Sequence, residues 1–70
     1  MPIIIAPTGK DLRVVKIFTD DKVKKHLESL GITINSVISV ISKSGGSIIC
    51  LVKDTKLALD NNIAQKIFVA

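Results

Sequence analysis

Nineteen of the 70 residues are isoleucine or valine, and Phe18 and Phe68 are the only aromatic side chains. β-Branched side chains are stiff at χ1 and pack well on a pleated surface, so this weight favours strands over helices. A core made of small branched groups, with no Trp or Tyr to fill space, argues for a tight all-β barrel or sandwich. Seventy residues support one such core, hence one domain over residues 1–70. A domain of this size often needs staples. Cys50 is the only cysteine and His26 the only histidine, which leaves no internal disulfide and no Cys/His zinc cluster. Packing has to do the work.

Along the chain, Met1 to Ile5 is apolar and reads as strand-like, and Ala6-Pro7-Thr8-Gly9 reads as a turn. Leu12 to Ile17 is a strand with neither face cleanly polar, which calls for a bulge or a two-sided environment. Residues 19 to 30 form the one convincing helix, with Val23, Leu27 and Leu30 on a single stripe. Thr19 is placed to cap its first amides, Phe18 to staple onto Val23, and Gly31 to close its end in the left-handed conformation. Val37 to Ser42 and Ser47 to Lys53 flank a Lys43-Ser44-Gly45-Gly46 hairpin turn. Asp54-Thr55 turns again before a strand at Lys56 to Leu59. Asp60-Asn61-Asn62 then caps one helical turn ahead of a last strand, Ile67-Phe68-Val69. The meander is expected to be antiparallel. No internal repeat or low-complexity tract interrupts it.

The chemistry-bearing residues do not converge. His26 falls on a helix at the border of the apolar stripe, Cys50 lies mid-strand among apolar neighbours, and the six acids sit mainly in turns and at caps. No catalytic, metal or cofactor-binding residue is assigned on that inventory, and Cys50 is read as a small buried hydrophobe. Gly45-Gly46 lies between strands and lacks the Lys-Ser/Thr of a phosphate cradle. The longest apolar runs fall far short of the ~20 residues of a membrane-spanning helix, and no secretion signal opens the chain, so the expected location is cytoplasmic. A formal net charge of +4 suits an acidic protein, an anionic membrane surface or nucleic acid. Lys22, Lys24 and Lys25 cluster on the helix, joined by Lys10, Arg13 and Lys16. Nucleic acid would call for aromatic platforms beside these lysines, whereas both phenylalanines are read near core positions.

The short strand, the Lys-rich helix ending in Leu30-Gly31-Ile32, the β-meander and the terminal Ala64-Gln65-Lys66-Ile67-Phe68-Val69 together resemble the FeoA family, from about Pro7 to Val69. The most specific parts are the Leu-Gly-Ile helix exit and the spacing from Leu57-Ala58-Leu59 to Ala64. Where the family usually reads Pro-Gly beyond its helix-ending glycine, this chain has Ile34-Asn35, and Asn tolerates the left-handed conformation. Asp54 occupies a turn often held by Gly. The resemblance implies an SH3-like small antiparallel barrel with one amphipathic helix and a short helical turn before the last strand. It also implies a non-enzymatic role in ferrous-iron uptake, by contact with the cytoplasmic part of the FeoB transporter. A small-barrel nucleic-acid-binding module is the alternative, and self-association is left open.

The docking residues come from a surplus: 33 residues are apolar, more than so small an interior needs, so some must face outward. Exposed apolar patches bordered by lysine stems mark interaction sites. The helix exit is the expected place, with Leu30, Gly31 and Ile32 at a sharp reversal and Lys24 and Lys25 less than two turns before them. The competing reading has Leu30 and Ile32 simply packing together as the helix stop.

Overall fold

A computed structural model describes all 70 residues. Five strands, β1 (Leu12–Ile17), β2 (Val37–Ser44), β3 (Ser47–Val52), β4 (Thr55–Asp60) and β5 (Ile67–Val69), form one sheet in the order β4-β3-β2-β1-β5, with every neighbour antiparallel. The sheet curls into a small SH3-like barrel around fifteen buried residues, all of them apolar. In β3 the alternation is strict, Ile48, Cys50 and Val52 pointing inward and their neighbours lying half-buried. Register shifts between Val14 and Lys16 and between Val40 and Ser42 supply the curvature. The first of these is the bulge that the mixed faces of β1 require, and it turns both Val15 and Lys16 to solvent.

Local chemistry accounts for the turns. Gly45, at φ +57°, is the first of two residues joining β2 to β3, a position where a primed hairpin turn calls for positive φ and favours glycine. The next turn is Lys53-Asp54, not Asp54-Thr55: both residues have positive φ, and Thr55 already pairs with Val52. Asn35 takes φ +72°. Asp60 caps α2 (Asn61–Ala64), its carboxylate accepting from the Ile63 amide at 2.8 Å.

The N-terminus departs from the expectation of a strand. Ile3–Ile5 is a 3₁₀ turn. Ile3 and Ala6, three residues apart, are both fully buried, which is the period of that helix, while Ile5 is exposed. Met1 and Pro2 instead run beside β5. The main helix, α1 (Asp21–Ser29), is shorter than 19 to 30 at each end. Its cap is Asp20, which accepts from the Val23 amide at 2.9 Å, and the Thr19 hydroxyl donates to the Asp20 carbonyl instead. Of the expected stripe only Leu27 is buried; Val23 packs against the core from the side, and Leu30 is half-buried at the rim. His26 is exposed.

The candidate partner surface at the helix exit

α1 ends in a Schellman motif. The Gly31 amide donates to the Glu28 carbonyl and the Ile32 amide to the Leu27 carbonyl, each at 2.9 Å, while Gly31 stands at φ +91°. The pattern drives Ile32 inward beside Leu27, and both are fully buried. Ile32 is therefore a core residue and presents nothing to a partner, a correction to its expected place at the surface. The physical reason is the hydrophobic contact that closes this motif, which the competing reading had named; its other member is Leu27 in place of Leu30.

Leu30 and Gly31 stay outside. Together with Glu28, Lys53, Thr55 and Leu57 they line a shallow depression of about 420 Å³ between the end of α1 and the β3–β4 turn. Gly31 is close enough there that a Cβ would meet Val52 Cγ1 at 3.3 Å. Lys24, half-buried, lies on the other flank of the helix, in a second depression of about 310 Å³ with Lys16, Ile17, Glu28, Thr33 and Ile34. Lys25 is exposed and lines neither. The five residues expected at one patch thus divide among a depression, its neighbour, open surface and core.

The sequence reading missed an aromatic surface. Phe18 is 52% exposed and meets the half-buried Phe68 edge to face, with ring centroids 5.1 Å apart. Lys16 Nζ sits 4.7 Å over the Phe18 ring. Neither ring is a core residue. Phe68 could have been placed from alternation, since it stands between Ile67 and Val69, which both point inward. Phe18 follows a bulged strand, where alternation stops being a guide, and its amide is fixed by the Lys66 carbonyl at 2.8 Å.

Cys50 is fully buried, and desolvation raises its thiol pKa to about 11. Burial disfavours the thiolate, the form that attacks electrophiles or binds metal. No three His, Cys, Asp or Glu side chains come together. The surface offers shallow depressions, exposed apolar groups and lysines, a set suited to contact with another macromolecule.

The FeoA domain model matches residues 1–70, the whole chain. The chain belongs to the FeoA family. A curated relative, the putative Fe(2+) transport protein A of Methanocaldococcus jannaschii, is 32% identical over 68 residues, 97% of this chain and 83% of that protein. The crystal structure of an iron uptake regulatory protein, FeoA, superposes with a TM-score of 0.89 at 24% identity, covering 99% of this chain and 93% of its own. A manganese-dependent transcriptional repressor superposes equally well, with a TM-score of 0.89 at 22% identity, but only 40% of that chain is matched. At those identities the structural likenesses establish the fold. The FeoA barrel is thus found both as most of a small protein and as a part of a larger one.

Proposed function

We propose that this FeoA protein is a non-enzymatic accessory or regulatory component of ferrous-iron uptake, acting in the cytoplasm by binding the cytoplasmic part of the FeoB transporter. Family membership and the Fe(2+) transport relative support the pathway. The observation that carries the mode of action is the depression at the helix exit, where Leu30, Gly31 and Leu57 present apolar atoms beside Lys53, with Lys24 and Lys25 on the adjoining helix. Apolar centres of this kind hold a partner, and bordering cations steer an acidic one toward it. No helix is long and apolar enough to cross a membrane. The sealed thiol and scattered acids favour contact over chemistry.

Surface plasmon resonance against the separated FeoB cytoplasmic domain tests the reading. Lys24→Glu with Lys25→Glu should slow association, and Leu30→Ser should hasten dissociation, all with the fold intact. Wild-type kinetics in these variants would remove the helix exit from consideration.

A second reading is favoured by one observation: Phe18 is exposed beside Lys16, an aromatic platform next to a cation at the surface. Single-stranded nucleic acid stacks its bases on such rings. One exposed ring is a single platform rather than a row, so protein contact is the stronger reading. Titration of a single-stranded RNA at rising salt separates them: steeply salt-dependent binding lost in Phe18→Ala would favour the nucleic-acid role.

A further inference from the structure

The two edges of the sheet are finished differently. β5 is covered: Pro2 bridges to Phe68, the Val69 amide donates to the Met1 carbonyl, and the terminal ammonium donates to the Val69 carbonyl, both at 2.8 Å. β4 has β3 on one side and no strand on the other. Its unpaired groups follow from the turn before it. Lys53 and Asp54, both at positive φ, form a two-residue primed turn that closes on the hydrogen-bonded pair Val52–Thr55. Alternation then makes Cys50–Leu57 and Ile48–Leu59 the next hydrogen-bonded pairs, and Lys56 and Ala58 direct their N–H and C=O groups away from β3. The side chains of Lys56, Ala58 and Asp60 are all exposed, on one face of the strand.

We propose that this edge is a docking strand for a second copy of the chain, with β4 pairing antiparallel to β4 about a two-fold axis at Ala58. Such an edge is self-complementary, since each outward N–H finds an outward C=O of the other copy. Charge selects the register. Centred on Ala58, the pairing sets Lys56 opposite Asp60 of the second copy, twice by symmetry, with only small side chains at the axis. Centred on Leu57 it would set Asp60 opposite Asp54 of the second copy, and centred on Lys56 it would bring two lysines face to face. Opposite charges in cross-strand pairs stabilise, and like charges oppose pairing. The Asp60 carboxylate can serve both roles, since only its Oδ1 is used by the Ile63 amide. The usual defences of an exposed edge are missing: β4 has no proline, its pairing with β3 runs without a bulge, and its one lysine becomes a partner in this register. Paired six-residue strands bury little beside the roughly 1,600 Å² of a standard interface, so the dimer is reversible and concentration-dependent. The inference does not rest on the transporter reading, because it uses only the backbone and charges of β4.

Sedimentation equilibrium on the full chain, from about 10 μM to about 1 mM, measures it. The wild type is expected to dimerise with increasing concentration, more weakly at high salt. Ala58→Pro removes the central amide donor at a position where an edge strand tolerates proline, and should leave a folded monomer at every concentration. Lys56→Glu keeps the backbone donors but turns both cross-strand pairs repulsive, and should weaken dimerisation about tenfold at low salt. A wild type that stays monomeric at the highest concentration overturns the proposal. So does a dimer that persists unchanged in folded Ala58→Pro, because its interface then lies on another face. Should Ala58→Pro fail to fold, Lys56→Glu decides alone, and an unaltered dimerisation constant refutes the proposed pairing centred on Ala58.

Discussion

Gly31→Ala probes the helix exit most sharply, because two separable effects meet there. At φ +91° an L-residue is strained, costing about 1 to 2 kcal/mol in the left-handed region. Alanine also stiffens the unfolded chain, which offsets part of that strain by about 0.4 to 1 kcal/mol. The second effect is contact: the new Cβ would lie 3.3 Å from Val52 Cγ1, so a buried side chain in β3 must shift by a few tenths of an ångström. A total near 2 kcal/mol is expected for the two together. A chain this long commands roughly 4 to 10 kcal/mol in all, so the loss should lower the melting temperature by about 10 °C. Gly9→Ala is the internal control. Gly9 has φ +79° but nothing within 4 Å of the added Cβ, so it carries the backbone effect alone, about 1 kcal/mol. Urea unfolding of both variants, and of each combined with Val52→Ala, would isolate the contact, which should shrink when the Val52 methyls are removed. A neutral Gly31→Ala, or one that costs no more than Gly9→Ala, would refute the close approach of the helix exit to β3.

Leu27→Ala removes three fully buried carbons, about 2.4 kcal/mol of transfer free energy before any cavity effect, whereas Val23→Ala at the helix flank should cost under about 1 kcal/mol; equal losses in denaturant unfolding would contradict the placement of α1. Asp60→Ala removes the α2 cap and should cost about 1 kcal/mol, read by the same unfolding curves. Cys50 should resist thiol reagents at neutral pH until the chain unfolds. Its thiol pKa, raised from 9.0 to about 11 by burial, makes the folded state hold its proton after the unfolded state has lost it, so stability should fall between about pH 9 and pH 11, with Cys50→Ala flattening that fall. Phe18→Ala should cost under about 1 kcal/mol by thermal unfolding, as befits an exposed ring.

What the sequence disclosed was whatever local chemistry determines. Strict alternation marks β3, Gly31 and the Asp60 cap mark their helix ends, and the ambiguous faces of β1 foretell its bulge. The misreadings share one cause: exposure depends on how distant segments close on each other. Met1 to Ile5 carries an apolar run that fits a strand or a turn, and only the approach of β5 and the burial of Ile3 and Ala6 decide for a 3₁₀ turn. Thr19 and Asp20 are both good caps, and which one serves depends on where the chain leaves β1. The same holds at the site. Leu30 and Ile32 are indistinguishable as apolar residues flanking a glycine, yet the Schellman hydrogen bonds send one to the rim and the other to the core. Phe18 looks like core in a chain with two rings, and lies outside because the bulge in β1 has shifted the alternation before the chain reaches it.

Isothermal titration of the folded protein against the separated FeoB cytoplasmic domain, at low and at high salt, tests the proposed function most directly. The account predicts saturable one-to-one binding per FeoA chain with a negative heat-capacity change from apolar burial, a modest loss of affinity with salt, and a clear loss in Leu30→Ser. No heat of binding to the folded domain, or binding that Leu30→Ser leaves untouched while Phe18→Ala abolishes it, would contradict contact through the helix exit.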